Sequence, residues 1–160
     1  VTPNDILRRV RYIFDFNDDA MKSLFAQGGL EADREQISDW LKQDDHPAFK
    51  AMNDRQLAHF LQGLIVEKRG KKEGPTPALE LVLNNNAVFR KLKIALDFKE
   101  EDILAVMAAA GFPIGRHELS AFFRRSDHKN YRECQDQILR NFLNGLQKKL
   151  RGEKDEPSLG

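Results

Sequence analysis

Apolar residues return along this chain every three or four positions and seldom every second one. Ile6, Leu7, Val10, Ile13 and Phe14 share one face of a helix predicted over about 3–14. Thr2 is placed to cap that helix, Pro3 suits its first position, and Asp5 completes a capping-box-like pattern. A second helix is expected over about 18–26, opening after Asn17 with two acids and closing at Gly28-Gly29. A third, over about 34–42 behind Asp33, turns Ile37, Trp40 and Leu41 inward. The clearest runs over about 54–68, where Leu57, Phe60, Leu61 and Leu64 recur at i, i+3, i+4 and i+7. Period-two alternation is absent and β-branched residues are few, so no strand is predicted.

The same series then repeats. A shift of 82 positions lays Asn4–Gly70 over Asn86–Gly152 without a gap. Arg8/Arg90, Asp15-Phe16/Asp97-Phe98, Gly29/Gly111, Arg34/Arg116, Ser38/Ser120 and Asp45-His46/Asp127-His128 are identical pairs. Phe60-Leu61, Gly63-Leu64 and Arg69-Gly70 likewise meet their equals at Phe142-Leu143, Gly145-Leu146 and Arg151-Gly152. The second copy has its first cap at Asn84, its second helix opens on Glu100-Glu101-Asp102, and its third carries Leu119, Phe122 and Phe123. The expected fold class is therefore all-α, two tandem four-helix repeats packed with pseudo-two-fold symmetry. Copy one spans 4–70 and copy two 86–152. A unit near 67 residues buries only a marginal core, which is why the copies are expected to pack on each other.

Residues 71–85 read as a linker, with Gly74-Pro75-Thr76-Pro77 at its centre. Leu79, Leu81, Val82 and Leu83 are expected to pack down before the next cap, and 153–160 to form a disordered tail. Gly63 and Gly145 stand inside the last helix of each copy, where glycine costs about 0.5–1 kcal/mol relative to alanine. Such a cost, met twice, predicts a close approach by another segment: the partner copy's last helix or a first helix.

Charge changes this picture only when taken by halves. The whole chain carries a formal net charge of +1, too little to draw it to nucleic acid or anionic membrane. Residues 86–152, however, hold 13 Lys/Arg against 8 Asp/Glu, while residues 4–70 hold 10 against 12. The single cysteine, Cys134, makes no intramolecular disulfide and fits a reducing compartment. The opening Val1-Thr2-Pro3-Asn4-Asp5 lacks the pattern of a signal peptide, and no apolar run approaches the length of a membrane span. A cytoplasmic protein without membrane contact is expected.

The segments Asn4-Asp5-Ile6-Leu7-Arg8-Arg9-Val10-Arg11, Asp127-His128-Lys129-Asn130-Tyr131-Arg132-Glu133-Cys134 and Gln137-Ile138-Leu139-Arg140-Asn141-Phe142-Leu143-Asn144-Gly145-Leu146 resemble the bacterial YehS-like family, whose domain is one of unknown function (domain of unknown function 1456). The resemblance covers nearly the whole chain, including the repeat. It implies a small cytoplasmic bacterial protein and supplies neither activity nor site residues.

Three groups of residues are candidates for chemistry. In each copy, helices two and three flank a glycine turn as in a helix-turn-helix, and copy two adds Arg116, Arg124 and Arg125 on or after the third helix. That basic half fits phosphate binding. The apolar position expected after the turn falls on Glu35 and His117, with Ile37 and Leu119 two places later, so the turn is long for the compact motif. Arg8 and Arg90 lie opposite the apolar stripe of each first helix, exposed unless covered, as a second anion or partner contact. Asp45-His46 and Asp127-His128 form the third group, a candidate polar pair for proton transfer or metal. Neighbouring residues of a helix diverge, and no further His or Cys stands at ligand spacing, so a turn or capping role is the simpler expectation and no metal or cofactor is predicted. No phosphate loop, nucleophile elbow or paired-cysteine pattern is present. The leading expectation is a non-catalytic binding or regulatory module acting on another protein; the alternative is a nucleic-acid-binding regulator working through the helix-turn-helix-like segment of copy two.

Overall fold

The computed structural model describes residues 1–74 and 78–152. Among the described residues there are eight helices and no strand: α1 (Pro3–Phe14), α2 (Asp18–Gln27), α3 (Arg34–Leu41), α4 (Asp54–Arg69), α5 (Asn85–Leu96), α6 (Glu100–Ala109), α7 (Arg116–Phe122) and α8 (Asp136–Arg151). The expected tail at 153–160 and the centre of the expected linker, 75–77, lie outside the described residues.

Helices α1 to α5 begin where an N-cap side chain accepts from the first turn. The Thr2 hydroxyl accepts from Asp5 N while the Asp5 carboxylate accepts from Thr2 N, the reciprocal pair that satisfies two orphan donors. Burial raises the Asp5 pKa, but donors from Thr2 and the Arg8 guanidinium outweigh it and hold the carboxyl below the usual range. Asn17, Asp33, Asn53 and Asn84 cap α2, α3, α4 and α5 by accepting from a first-turn backbone N–H, and at Asn53 Gln56 completes the reciprocal pair. Asp15 and Asp97 end the two first helices in the left-handed region at φ 54° and 55°, a conformation that short polar side chains tolerate.

The chain forms two compact units, Val1–Asp97 and Phe98–Gly160. In the first, Phe25 of α2 stands between Trp40 of α3 and Phe60 of α4, with ring centroids 5.3 and 5.1 Å away. Leu7, Met21, Leu24, Leu57, Leu61 and Leu64 complete a core from which water is excluded. Two polar side chains of this unit are buried as well, Asn4 and Asn86. The Asn4 amide donates to the Trp40 and Lys50 carbonyls at 2.9 Å and accepts from Met52 N at 2.9 Å, tying the start of α1 to both ends of the α3–α4 connection. All its polar capacity is matched locally, which makes its burial tolerable.

Helix α5 belongs to this first unit, although by sequence it opens copy two. It packs along α4, and two contacts fix its direction: Asp54, at the start of α4, accepts from Leu83 N, and Arg69, at its end, pairs with Asp97. The two helices are thus parallel. Between Gly70 and Asn84 the chain must return by the length of α4, about 24 Å at 1.5 Å per residue. Leu83 is buried on that path, but Leu81 and Val82 are 70% and 77% exposed. The expectation that all four apolar residues of 79–83 pack down is corrected at Leu81 and Val82, which lie on the surface, while Leu79 is half-buried and Leu83 turns in.

The second unit joins α6, α7 and α8, with α6 on α8 as the main contact. Ile103, Val106 and Met107 meet a core that includes Leu119, Phe122, Leu139, Phe142 and Leu146. Gly63 and Gly145 are helical, buried and closely approached, as expected. The approaching helix differs from the expectation. A Cβ at Gly63 would fall 1.7 Å from the Leu24 carbonyl oxygen, and one at Gly145 would fall 2.1 Å from that of Val106. The neighbour is the same copy's second helix, because α2 and α6 lay their own apolar stripes across the last helix beside the glycine. In copy one the fit is reciprocal: a Cβ at Gly28 would meet the His59 carbonyl oxygen at 1.7 Å.

Candidate functional site

The two connections between third and fourth helices share one backbone scheme. In copy one His46 N donates to Gln43 O, Phe49 N to His46 O and Lys50 N to Asp39 O. In copy two His128 N donates to Arg125 O, Tyr131 N to His128 O and Arg132 N to Ala121 O. The histidine rings close these turns. His46 Nδ1 accepts from Ala48 N and His128 Nδ1 accepts from Asn130 N, each at 3.0 Å. An accepting Nδ1 leaves the neutral ring its proton on Nε2. Asp127 pairs with Arg125 at 3.1 Å, so Asp127 and His128 face different partners. Asp45 is exposed beside its own turn. The structure does not bring the two Asp-His pairs into a shared constellation within either connection, and no group of His, Cys, Asp and Glu among the described residues has the makings of a metal site.

The arginines separate by environment. Arg8 is not an exposed contact: its side chain is 9% accessible, donates to Lys42 O at 2.8 Å, and pairs with Asp5 and, at 3.5 Å, with Asp44. The C-terminal end of α3 covers it, which a helical wheel of α1 alone does not reveal. Arg90 is exposed on α5. Arg34 and Arg116, the matched pair, each reach back to an acid in the first turn of the preceding helix, Arg34 to Asp19 and Arg116 to Glu100. Both pairs are open to solvent and contribute little to stability. The turn between α6 and α7 has six residues, 110–115, the same length as 28–33 between α2 and α3. Both exceed the three to four residues of a compact helix-turn-helix.

Arg124 leads to a different feature. It lines a groove of about 440 Å³ with His117, Glu118, Ala121, Lys129, Asn130, Tyr131 and Arg132. A second concavity of about 340 Å³ adjoins it, sharing Glu118 and Arg132 and adding Phe122, Glu133, Gln135, Gln137 and Ile138. The groove thus runs between the exposed face of α7 and the returning segment that leads into α8. Its cationic wall arises from two replacements. In copy one Lys42 is held by Asp39 at 2.7 Å and by Ser38. In copy two the position of Asp39 is Ala121 and that of Pro47 is Lys129. Ala121 removes both a counter-ion and side-chain volume, and neither Arg124 nor Lys129 has an ion pair with a described residue.

Residues 3–70 and 85–152 each match the family model described as "Protein of unknown function (DUF1456)". The chain belongs to that family. Over 145 residues it is 48% identical to "Uncharacterized protein YehS" of Escherichia coli (strain K12), covering 89% of this chain and 92% of that protein. No solved structure matches. The family domain begins at α1 and again at α5, one helix before the second compact unit. No helix among the described residues is long and apolar enough to cross a membrane.

Within this family member, sequence reasoning named Arg124 but missed Lys129, Tyr131, Arg132 and His117 as its neighbours. The signal was present in the repeat: a cation retained at Lys42/Arg124 while its acid at 39 became alanine at 121. It also missed Asn4, whose polar side chain stands on the buried stripe of α1 and recurs as the buried Asn86. Cys134, matched to Met52, is buried, and burial together with Asp136 pushes its thiol up to about 12. It behaves as a small hydrophobe.

Proposed function

We propose that this protein is a non-catalytic binding module that recognises an acidic segment of another protein through the groove of copy two. The observation that carries the reading is the pair Arg124 and Lys129, cations lining a concave wall with no counter-ion among the described residues, where copy one has its Lys42–Asp39 pair. A cation that lacks an internal partner and lies in a recess gains more from an arriving anion than one on a convex surface, because the recess excludes part of the water that would screen it. Glu118 interrupts the positive wall between the two concavities. That break suits a short peptide with an acidic residue at one end better than a continuous run of phosphates. The histidines support a non-catalytic role, since each uses its acceptor nitrogen to close its own turn.

Nuclear magnetic resonance with the full chain tests this directly. A degenerate acidic heptapeptide pool is expected to shift the amides of 117–132 and to leave 35–50 unmoved. A random-sequence DNA duplex is the competing ligand. Shifts by duplex alone, fading steeply with salt as counterion release requires, would pass the surface to nucleic acid.

A further inference from the structure

We infer that the group held beside Arg124 and Lys129 is a phosphomonoester, carried as a phosphoserine or phosphothreonine on an extended peptide. This rests on the proposed reading of the groove and adds the chemical identity of its acid. Two cations with no ion pair to a described residue line the recess, Arg124 half-buried and Lys129 exposed, so a carboxylate would neutralise one and leave the other unmatched. A phosphomonoester carries about −1.5 to −2 near neutral pH and matches both. The donors also outnumber a carboxylate's two oxygens. The Arg124 guanidinium offers a planar fork and Lys129 a compact ammonium, and Tyr131 and Asn130, which line the same recess, carry a hydroxyl and an amide. Three terminal phosphoryl oxygens use that set more fully.

The neighbouring concavity sets the direction of the peptide. Glu118 stands at the junction and repels a second acid there, which places the dianion at the Arg124–Lys129 end. Beyond it, Phe122, Ile138, Gln135 and Gln137 form a recess that Arg132 and Glu133 also line, and Glu133, like Glu118, repels a second acid of the same ligand. Copy one lacks the premise of this site. Asp39 already occupies Lys42, and Pro47 replaces the second cation. The repeat therefore supplies an internal control in which the backbone scheme is kept and the charge arrangement is not.

Fluorescence anisotropy on the full chain, with labelled heptapeptide pools of random flanks around a central phosphoserine, glutamate or serine, tests the inference. The phosphoserine pool is expected to bind at least tenfold more tightly than the glutamate pool, and the serine pool to show no saturable binding. Lys129→Ala, at an exposed position, and Ala121→Asp, which restores copy one's acid, should each weaken the phosphoserine pool about tenfold or more. Helical content by circular dichroism checks that both variants fold, and Lys129→Ala stands alone if Ala121→Asp does not. Equal binding of the phosphoserine and glutamate pools would overturn the phosphate assignment while leaving the acidic-segment reading in place. Absence of binding by either acidic pool would overturn both. Tighter binding of a random duplex than of any pool would also overturn both.

Discussion

The connections 42–53 and 123–135 follow the same course and present different surfaces. Each places a histidine at the same turn, closes that turn with the ring nitrogen, and returns a backbone N–H to the third helix. On this common frame copy one carries an internally satisfied Lys42–Asp39 pair, whereas copy two carries Arg124, Lys129 and Arg132 around a recess floored by Ala121. The backbone hydrogen bonds depend on turn geometry, which tolerates many side chains. The groove depends on a few side chains, and two replacements suffice to alter it. Duplication within one chain thus separates the residues that hold the frame from those that define a surface.

The largest effects are expected where the two copies share a steric requirement. Gly63→Ala would drive a Cβ into the Leu24 carbonyl, and Gly145→Ala into that of Val106. Each should lose stability toward the upper end of the about 1–3 kcal/mol typical of overpacking, with Gly63 the worse because its approach is closer. Thermal melts in which both alanine variants gain stability would show that the glycines are not there for close approach. Asn4→Ala should follow, at about 2 kcal/mol, since it orphans the Trp40 and Lys50 carbonyls and Met52 N in a buried place. Urea denaturation measures it, and a loss below a few tenths would mean that water replaces the amide without cost.

Smaller changes sharpen the comparison of the connections. His46→Ala and His128→Ala each remove one turn-closing acceptor, so each should cost about 0.5–1.5 kcal/mol, and by similar amounts. A large loss at one and none at the other, read from melting temperatures, would show that the two turns are not equivalent in energy. Cys134 should give the smallest effect near neutral pH. Its thiol is held protonated up to about 12, so a thiol-reactive reagent at pH 8 should label the native chain far more slowly than the denatured one. The raised value also gives a sign. Above the ordinary thiol range the unfolded chain releases this proton before the native chain does, so its contribution to stability falls as pH rises toward 12. Rapid native labelling at pH 8 would contradict the burial that causes the shift.

Sequence pattern alone located the helices well because their determinants are local. Thr2 with Asp5, Asn17, Asp33 and Asn84 announced the starts, and the Leu57–Leu64 stripe announced the buried face of α4. Readings that depended on which elements meet were less legible. Arg8 looked exposed from α1 alone and is covered by the end of α3. Gly63 signalled a close neighbour without saying that it is α2. The groove was half visible. Arg124 stood out by charge, but Lys129, Tyr131 and Arg132 reach it only because the turn at His128 folds the chain back toward α7. A helix pattern carries no record of that return.

The central claim is that ligand recognition resides in the connection of copy two and not in its counterpart. Anisotropy titration of the phosphoserine peptide pool against two double variants of the full chain tests it most directly. Arg124→Ala with Lys129→Ala should abolish saturable binding, while Lys42→Ala with Lys50→Ala, at the matched connection, should leave it within about twofold of the unaltered chain, a difference below about 0.5 kcal/mol. Loss of binding in the copy-one variant with retention in the copy-two variant, both folded by circular dichroism, would contradict the account.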